Sequence, residues 1–430
     1  MLIEFRVENH RSLKTEQVLT MEAGRVDGDT TIPRTVPGYS KPLLPVAALY
    51  GANASGKSNV LSGLAFMREA VTGSFRQWGP MAGIPRDPFA WGTARGSSSM
   101  YEVMFVHRDE RYQKDVRFQY GFAVSDDVVV EEWLHAWPKG KQQTWFTREG
   151  GKFSFGDSLK GERRLIQDVT GPNVLFLSVA GFHSHPQLGA LWDWFSQMEV
   201  VDVPRYSEPW RGESFIYNGC VLEKQGIRLN SVPGHVSPGQ VLDDFRRMLS
   251  QADVGISDFK MEEDDGKGDV WTNAPPKLFL KHNSNDDDAW LPLQQESRGT
   301  QTVFRSGPLI CYVLRTGGVL LVDELEASLH PKLAVEIIKQ FNNPKTNPKN
   351  AQLIFTTHDT NLLGNDAGEP VLRRDQVWLT EKDKEGATTL YPLTDYKPRK
   401  AENVERGYLQ GRYGAIPYLG NFSLLGKEAT

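Results

Sequence analysis

Strands of the buried type and amphipathic helices alternate in the first and last parts of the chain. Val46–Tyr50, Val319–Val322 and Leu353–Phe355 are short, uninterrupted apolar runs, which are typical of strands buried on both faces in a parallel sheet. Apolar residues with helical spacing follow the first run from Ser58 and precede the third over Lys332–Phe341. This alternation predicts one α/β domain whose two halves are separated along the sequence.

The middle of the chain has a different pattern. Met100–Val106, Arg117–Val124 and Val128–Trp137 predict strands of an antiparallel sheet. The stretch 72–100 is rich in Gly, Pro and Ser and predicts a long loop. Residues 185–290 carry mixed helical signals and predict an inserted region. Further predicted elements are a strand at Leu2–Val7, helices at Val241–Leu249 and Gln301–Arg315, and a hairpin over Gln376–Thr380 and Thr388–Leu393.

The composition narrows the class of protein. The 430 residues are 39% hydrophobic and 24% charged, and no apolar run approaches the roughly 18–20 residues that span a bilayer. Charged and amide residues appear at once in the first positions, which argues against a secretory signal. Cys220 and Cys311 lie far apart and form no disulfide or zinc pattern. We therefore expect a cytoplasmic protein, and the net charge of −5 argues against an extensive nucleic-acid-binding surface.

The strongest chemical signal is GANASGKS at positions 51–58, which fits the pattern G-x-x-x-x-G-K-[ST] between a buried strand and a helix. Its glycines allow backbone N–H groups to surround phosphate oxygens at the helix N-terminus. Lys57 would then contact the β- and γ-phosphates, and the Ser58 hydroxyl would bind Mg²⁺. The alternative is a plain glycine-rich turn. Candidate nucleotide contacts are Gly51, Asn53, Ala54, Ser55, Gly56, Lys57, Ser58 and Asn59.

A second signal is the apolar run Val319–Val322, which ends in Asp323 and Glu324. Beside a phosphate loop, Asp323 would hold Mg²⁺ through water, and Glu324 would act as the general base on the attacking water. His358 ends another buried strand 34 residues later, where it could contact the γ-phosphate or be a hydrogen-bonded structural residue. Because one helix separates the two strands, we expect them to be neighbours with both carboxyl ends at one edge.

Taken together, these segments resemble the ABC-type ATPases of the SMC, RecF and OLD-like branch. The similarity is closest to stand-alone AAA family ATPases (RloA-like) of bacterial anti-phage and abortive-infection operons, because of the C-terminal stretches at 377–396 and 405–417. The resemblance covers residues 1–70 and 290–420 well and the middle weakly. The motifs that carry it are ENHRS at 8–12, GANASGKSN at 51–59, ESRGTQ at 296–301, LLVDELEASLHP at 320–331 and TTH at 356–358.

The resemblance implies ATP and Mg²⁺ as ligands and suggests further roles. His358 would be the switch histidine, and residues 327–330 would form a D-loop that crosses a dimer interface. The chain departs from the family pattern because its signature is SRGT rather than LSGGE, and because the Q-loop glutamine has no clear position; Gln113 and Gln119 are candidates. Ser297, Gly299 and Thr300 would form the degenerate signature that completes the partner's nucleotide site, and Asn9, Arg11 and Ser12 would lie near the bound nucleotide.

The resemblance also divides the chain. It implies an α/β P-loop domain of the ABC type with an antiparallel β-subdomain and a mostly helical inserted lobe. Because no heptad pattern is sustained, a long coiled-coil arm is excluded and a compact lid is favoured. The expected units are 1–180 (phosphate loop and antiparallel sheet), 181–290 (inserted lid), 291–395 (signature, acidic strand end and switch histidine) and 396–430 (a tail that is a candidate partner-docking segment).

The leading hypothesis is an ATPase switch. Two subunits, or a higher even number, would enclose Mg²⁺ and ATP at composite sites, and hydrolysis would release the dimer to control a separate effector, a nuclease or toxin in anti-phage defence. Nucleic acid is allowed as a partner and not required, and no membrane is involved. The alternative is a RecF-like DNA-repair clamp that grips DNA on ATP-driven dimerisation. A scaffold with little turnover is disfavoured by the intact Asp323–Glu324 pair, and a transporter subunit by the long insertion.

Overall fold

The computed structural model describes most of the chain. Within the described part, no helix combines the length and the apolar character needed to cross a membrane. Of the predicted features, Ser328 of the D-loop, several stretches of the inserted lid between 208 and 287, and positions 398–401 and 418–430 of the tail lie outside the described residues. The described residues are 1–26, 30–79, 83–109, 112–207, 211, 216, 220, 236–252, 255–262, 277–284, 286, 288–327, 329–366, 369–397 and 402–417.

The strands and helices of the described residues are numbered in chain order. The strands are β1 (Leu2–Glu8), β2 (Gln17–Thr20), β3 (Val46–Gly51), β4 (Ser99–Asp109), β5 (Lys114–Val124), β6 (Val129–Ala136), β7 (Gln143–Glu149), β8 (Lys152–Phe155), β9 (Glu199–Val201), β10 (Ile256–Glu262), β11 (Lys277–His282), β12 (Trp290–Pro292), β13 (Val319–Val322), β14 (Gln352–Thr356), β15 (Asn365–Asp366), β16 (Glu369–Pro370), β17 (Val377–Lys382) and β18 (Thr388–Pro392). The helices are α1 (Lys57–Gln77), α2 (Arg163–Asp168), α3 (Phe176–Phe182), α4 (Leu188–Ser196), α5 (Pro238–Gln251), α6 (Arg298–Thr316), α7 (Pro331–Asn342) and α8 (Val404–Leu409).

A six-stranded sheet in the order β18-β17-β3-β14-β13-β9 forms the centre of the α/β domain. Its strands from β17 to β9 are parallel, and β18 pairs antiparallel at one edge. Val322 of β13 pairs with Phe355 of β14. The prediction that the strands before Glu324 and His358 are neighbours is therefore confirmed, and their carboxyl ends lie at the same edge as the end of β3.

A seven-stranded antiparallel sheet, in the order β2-β1-β4-β5-β6-β7-β8, forms the predicted β-subdomain. Helix α1 contacts both this sheet and the central sheet. Its residues Val60, Leu64 and Met67, spaced by three or four positions, are buried in a core that also contains residues of both sheets. The helix predicted from Ser58 is thus confirmed, and it holds the two sheets together.

Helix α1 is longer than its sequence pattern indicates, because the predicted loop 72–100 begins only at Trp78. The last turns of α1 contact α3. Ser74 Oγ accepts from the Leu175 N–H at 3.3 Å, and Ser178 Oγ accepts from the Phe75 N–H at 3.2 Å. Glycine and serine in these turns weaken the local helical signal, so tertiary contacts decide where the helix ends.

Described residues between β9 and β13 form a lobe with its own core. In its described part the lobe contains α5, the three-stranded antiparallel sheet β10-β11-β12 and the beginning of α6. Phe245, Phe259 and Phe304 pack with ring centroids 5.1–5.8 Å apart. The helix at Val241–Leu249 is confirmed within α5. The three-stranded sheet is an addition to the predicted helices, and its short strands gave no clear alternation.

Strand β9 corrects the boundary expected at residue 181. Val201 of β9 pairs in parallel with Val322 of β13, so this strand belongs to the central sheet. Leu191 and Phe195 of α4 are buried in the same core as α1. These contacts place residues 181–203 with the α/β domain, and the lobe begins after them. A strand of three residues is too short to produce a recognisable sequence pattern.

A buried histidine next to β1 makes stability depend on pH. The two ring nitrogens of His10 lie 2.9 Å from the Tyr101 hydroxyl and 2.8 Å from the Ser62 hydroxyl. Burial, with a smaller contribution from the Arg11 charge, lowers the pKa of His10 to about 3, whereas an unfolded histidine has a pKa of about 6.5. Between these values the unfolded chain binds a proton that the folded chain does not, so the free energy of unfolding rises with pH.

We therefore expect His10→Gln, which keeps hydrogen-bonding groups but does not titrate, to flatten this rise. Between about pH 7.5 and about pH 5 the wild-type chain should lose about 2 kcal/mol more free energy of unfolding than the variant. Urea unfolding of both proteins at the two pH values measures this difference. The contributions of the other ionisable groups are the same in both proteins and cancel. Parallel pH profiles for the two proteins would contradict the prediction.

Candidate nucleotide-binding site

The phosphate loop joins β3 to α1 through two left-handed backbone positions. Gly56 has φ 105° and Ala54 has φ 61°. A Cβ at Gly56 would lie 2.2 Å from Thr388 Oγ1, so the position requires glycine. Asn53 and Ala54 are exposed at the tip of the loop. The first turn of α1 has no acidic residue and no side-chain cap, a helix N-terminus of the kind that suits an anion.

Lys57 is buried beneath this loop. Its ammonium donates to the carbonyl oxygens of Gly51 at 2.9 Å and of Ala52 at 3.1 Å. Burial lowers the pKa of Lys57, and the nearby Asp323 carboxylate opposes this shift. The cation thus lies between the phosphate loop and the acidic end of β13, where a triphosphate would need it.

A network of hydroxyl groups supports the phosphate loop. Ser55 Oγ lies 2.6 Å from Thr380 Oγ1, and Thr388 Oγ1 donates to the Ser55 carbonyl at 2.7 Å. Ser12 Oγ lies 2.7 Å from Thr388 Oγ1 and accepts from Asn59 Nδ2 at 2.6 Å. The structure therefore brings the predicted residues Ser12, Ser55 and Asn59 together. Thr380 and Thr388 were not predicted, because a single threonine in a strand carries no sequence signal.

Ser58 and Asp323 meet beside the loop. The Ser58 hydroxyl donates to Asp323 Oδ1 at 2.9 Å, and Thr356 Oγ1 donates to the same oxygen at 2.6 Å. Hydroxyl and carboxylate oxygens are the ligands that Mg²⁺ prefers, and this ion usually completes its coordination with substrate phosphates and water. The donor set therefore fits Mg²⁺, as the sequence predicted.

Glu324 and His358 lie exposed at the same edge of the sheet. Glu324 has φ 52°, and its backbone N–H donates to Thr356 Oγ1 at 2.8 Å. Glu326 Oε1 accepts from the His358 backbone N–H at 2.5 Å. Partial burial, and then the Lys57 charge, lower the pKa of His358, so the imidazole is neutral near pH 7 and can donate one hydrogen bond. Thr356 and Glu326 were not predicted as site residues.

Asn9 and Arg11 were expected near the nucleotide, and their side chains contact the segment 85–98. The buried Asn9 amide donates to three carbonyl oxygens of this segment at 2.7–3.2 Å. Arg11 Nε donates to Asp87 Oδ2 at 3.3 Å. Of the three N-terminal candidates, Ser12 alone joins the hydroxyl network of the phosphate loop. The Asn9 amide thus binds the segment 85–98, and its closeness to a nucleotide stays a prediction.

The signature residues begin α6, in the lobe. Ser297 is exposed, its Oγ accepts from the Thr300 N–H at 3.2 Å, and it lies 2.9 Å from Thr300 Oγ1. Gly299 is half-buried in the same turn. Val303 and Phe304, which follow in the helix, are part of the core of the lobe. The three predicted residues are therefore together, but on a different part of the molecule from the phosphate loop.

Both glutamines considered for the Q-loop lie in the antiparallel subdomain. Gln113 is in the turn between β4 and β5, and Gln119 is within β5. In the central sheet β13 lies between β14 and β9, and the residue after β9 is Asp202. The pKa of Asp202 is raised, mainly by burial. The positive charge of Arg305 opposes this shift, and the negative charge of Asp323 adds to it. Asp202, which was not predicted, is thus close to the acidic end of β13.

Comparisons with known proteins show the family of the chain. No curated protein matches the chain. One solved structure that the chain resembles is an SMC head domain from Thermotoga maritima, with 12% identity, 91% of this chain and 98% of that chain covered, and a TM-score of 0.39. A second is an SmcHead bound to the C-winged helix domain of ScpA, with 12% identity, 91% and 96% of the two chains covered, and a TM-score of 0.45. A third is an Smc head domain with an extended coiled coil bound to the C-terminal domain of ScpA, derived from Pyrococcus furiosus, with 10% identity, 92% and 97% of the two chains covered, and a TM-score of 0.41. Residues 46–176 and 240–364, more than half of the chain, match the family described as "AAA domain, putative AbiEii toxin, Type IV TA system". The chain belongs to this AAA-domain family.

Proposed function

We propose that the chain binds and hydrolyses ATP with Mg²⁺ and that ATP binding joins two copies into a dimer. The observation that carries the proposal is the 2.9 Å contact between the Ser58 hydroxyl and the Asp323 carboxylate, which are 265 residues apart. This contact joins the phosphate loop to the end of a buried strand, and the Lys57 ammonium lies beside both. A cation, a hydroxyl and a carboxylate in this arrangement suit a nucleoside triphosphate and its metal ion.

Each group of the site has a defined task in this proposal. Lys57 and the first N–H groups of α1 bind the phosphate oxygens. Ser58 and Asp323 would hold Mg²⁺, which when bound neutralises charge on the β- and γ-phosphate oxygens. Glu324 accepts a proton from the attacking water, and the neutral His358 donates a hydrogen bond to a γ-phosphate oxygen.

The position of α6 supports sites shared between two copies. Arg305 is close to Asp202 at the carboxyl edge of the central sheet. The seven residues of α6 before Arg305 therefore extend about 10 Å beyond that position, because a helix rises about 1.5 Å per residue. In this proposal the signature turn at 297–300 contacts the nucleotide of the second copy rather than that of its own chain. Glu324 and His358 are exposed, and a second copy over this edge would exclude water from the reaction.

The segment 402–417 connects the site to the surface and supports control of a separate effector. The Tyr50 hydroxyl, at the end of β3, donates to the carbonyl of Asp359 next to the switch histidine at 3.0 Å. Tyr50 also packs edge-on against Tyr408 of α8, with ring centroids 5.6 Å apart. Leu409 of the same helix is 60% exposed. We propose that nucleotide turnover changes this surface and thereby an effector in anti-phage defence, in keeping with the toxin named in the family's description.

Lys57→Ala tests the proposal at its centre. The variant should bind Mg²⁺–ATP at least about 100-fold more weakly, because a buried cation that contacts the phosphates is lost. Calorimetry measures the affinity, and sedimentation with and without ATP measures the dimer. Lys345→Ala, which removes an exposed lysine, should behave as the wild-type chain. Unchanged affinity in Lys57→Ala would refute the site, and a wild-type chain that hydrolyses ATP as a monomer would refute the dimer.

A RecF-like DNA clamp is the second candidate, and one surface favours it. The antiparallel subdomain carries a groove of about 460 Å³ whose lining includes Lys114, Arg117, Lys139 and Trp137. The Arg117 guanidinium lies 4.0 Å from the ring centroid of Trp137. Basic groups beside aromatic rings suit a nucleic acid. ATP-dependent, salt-sensitive binding of duplex DNA by the purified chain alone would favour the clamp over the switch.

A further inference from the structure

Trp91 is the most exposed aromatic side chain in the part of the chain that the structure describes, at 57%. Its indole is nevertheless held in place. Nε1 donates to the Glu385 carbonyl at 2.8 Å, and the Phe89 ring packs edge-on with centroids 5.1 Å apart. Fixing a side chain in one conformation costs conformational entropy, which burial of apolar surface normally offsets. The exposed face of this indole is not buried by its own chain. A rigid, open aromatic face suits a planar ligand.

The indole forms one wall of a cavity of about 610 Å³, which is within the roughly 300–1,000 Å³ of ligand pockets. Lys14 connects two of its walls, because its ammonium lies 2.7 Å from Glu385 Oε2 and 5.6 Å from the Phe89 ring centroid. The volume is sufficient for a nucleobase and its ribose. The lining consists of Lys14, Trp91, Gly92, Thr93 and the β17–β18 turn at 383–386.

The cavity lining ends two residues before Thr388, a residue that contacts the phosphate loop. Thr388 Oγ1 donates to the Ser55 carbonyl at 2.7 Å and lies 2.7 Å from Ser12 Oγ. Gly386, two residues before Thr388, lies against the indole, since a Cβ there would be 2.8 Å from Trp91 Cζ2. Two residues of extended chain span about 7 Å. A nucleotide whose phosphates lie on the loop can therefore extend its base to the indole.

We propose that this cavity binds the base of the nucleotide and that Trp91 stacks on it. The inference rests on the proposed ATP binding at the phosphate loop and adds the residue that recognises the base. A two-ring purine covers more of an indole than a one-ring pyrimidine, so the platform favours purine nucleotides. Lys14 is a positioning residue, since its contacts with Glu385 and Phe89 connect the walls on either side of the indole.

The test measures the contribution of the base to nucleotide affinity separately from that of the phosphates. Calorimetric titrations with ATP, CTP and inorganic tripolyphosphate, each with Mg²⁺, are compared for the wild-type chain and its variants. Trp91→Ala should lower ATP affinity by about 10–100-fold, leave tripolyphosphate affinity unchanged and remove the preference for ATP over CTP. Trp91→Phe keeps an aromatic face and should recover most of the affinity. Phe182→Ala removes another exposed aromatic side chain and should bind all three as the wild-type chain does.

Each failure has a separate signature. If Trp91→Ala binds ATP as tightly as the wild-type chain, the base lies elsewhere and the inference is wrong. Equal losses for ATP and tripolyphosphate would also overturn it, because the indole would then act through the phosphate loop. A wild-type chain that binds neither ligand would instead refute the proposed function. Circular dichroism confirms that each variant is folded.

Discussion

Glu324→Gln should reduce ATP turnover by at least about 100-fold while Mg²⁺–ATP binding persists. Glutamine has the shape of glutamate but cannot accept the proton of the attacking water. The groups proposed to bind the phosphates and metal, Lys57, Ser58 and Asp323, are unchanged, so the ATP-bound state should accumulate as a dimer. Phosphate release gives the turnover, and sedimentation gives the dimer fraction.

The local structure makes this substitution an informative one. The Glu324 side chain is exposed, and its backbone N–H is held by Thr356 Oγ1, which also donates to Asp323. The backbone and the metal-binding carboxylate therefore keep their partners in the variant. Glu336→Gln, which changes an exposed carboxylate of α7 that is paired with Lys339, is the matched control and should have wild-type turnover. Unchanged hydrolysis in Glu324→Gln would mean that another group is the base.

Glu132→Ala should lower the free energy of unfolding by about 3–5 kcal/mol. The Glu132 carboxylate is buried and accepts from the N–H groups of Phe176 and Leu177 at 2.8 and 3.0 Å and from the Tyr120 hydroxyl at 2.9 Å. The guanidinium of Arg148, also buried, lies 3.7 Å away. Removing the carboxylate leaves this cation without its counter-charge and the first N–H groups of α3 without an acceptor, both away from water.

Urea unfolding measures this loss, and the neighbouring residue supplies the control. Glu131→Ala removes an exposed carboxylate from the same strand and should change the free energy of unfolding by no more than about 0.5 kcal/mol. Glu132→Gln keeps an acceptor for the two N–H groups and should lose less than Glu132→Ala. Equal stability of the Glu131 and Glu132 alanine variants would show that the pair with Arg148 contributes nothing. Because this cluster lies in the antiparallel subdomain, folded Glu132→Ala should retain ATP turnover.

The central chemistry of the site could be predicted from the sequence because its determinants are local. The phosphate loop needs glycine where φ reaches 105° at Gly56, followed at once by Lys57 and Ser58. The strands that end in Asp323 and at His358 are buried on both faces, which requires uninterrupted apolar runs. Helix α1 was visible from its spacing, although its last turns were not, because contacts with α3 stabilise them.

The surroundings of the site could not be predicted, because they depend on contacts between distant residues. Ser12 and Thr388 are 376 positions apart, and neither differs from an ordinary serine or threonine until the fold places them together behind the phosphate loop. Thr356 also carries no distinguishing sequence signal, although its hydroxyl donates to Asp323 and accepts from the Glu324 backbone N–H. The three-residue strand β9 places Asp202 close to the acidic end of β13, and a strand this short has no recognisable periodicity in the sequence.

The sequence by itself therefore determined the fold class, the phosphate loop and the two acids, because backbone conformation and strand burial act within a few neighbouring residues. Tertiary structure alone decided that the Asn9 amide binds the segment 85–98, and that Trp91 is exposed. It also placed the signature turn at 297–300 at the start of a helix that packs in the core of the lobe. The physical reason is the same in each case: a side chain's role follows from its partners in space, and those partners leave no local pattern.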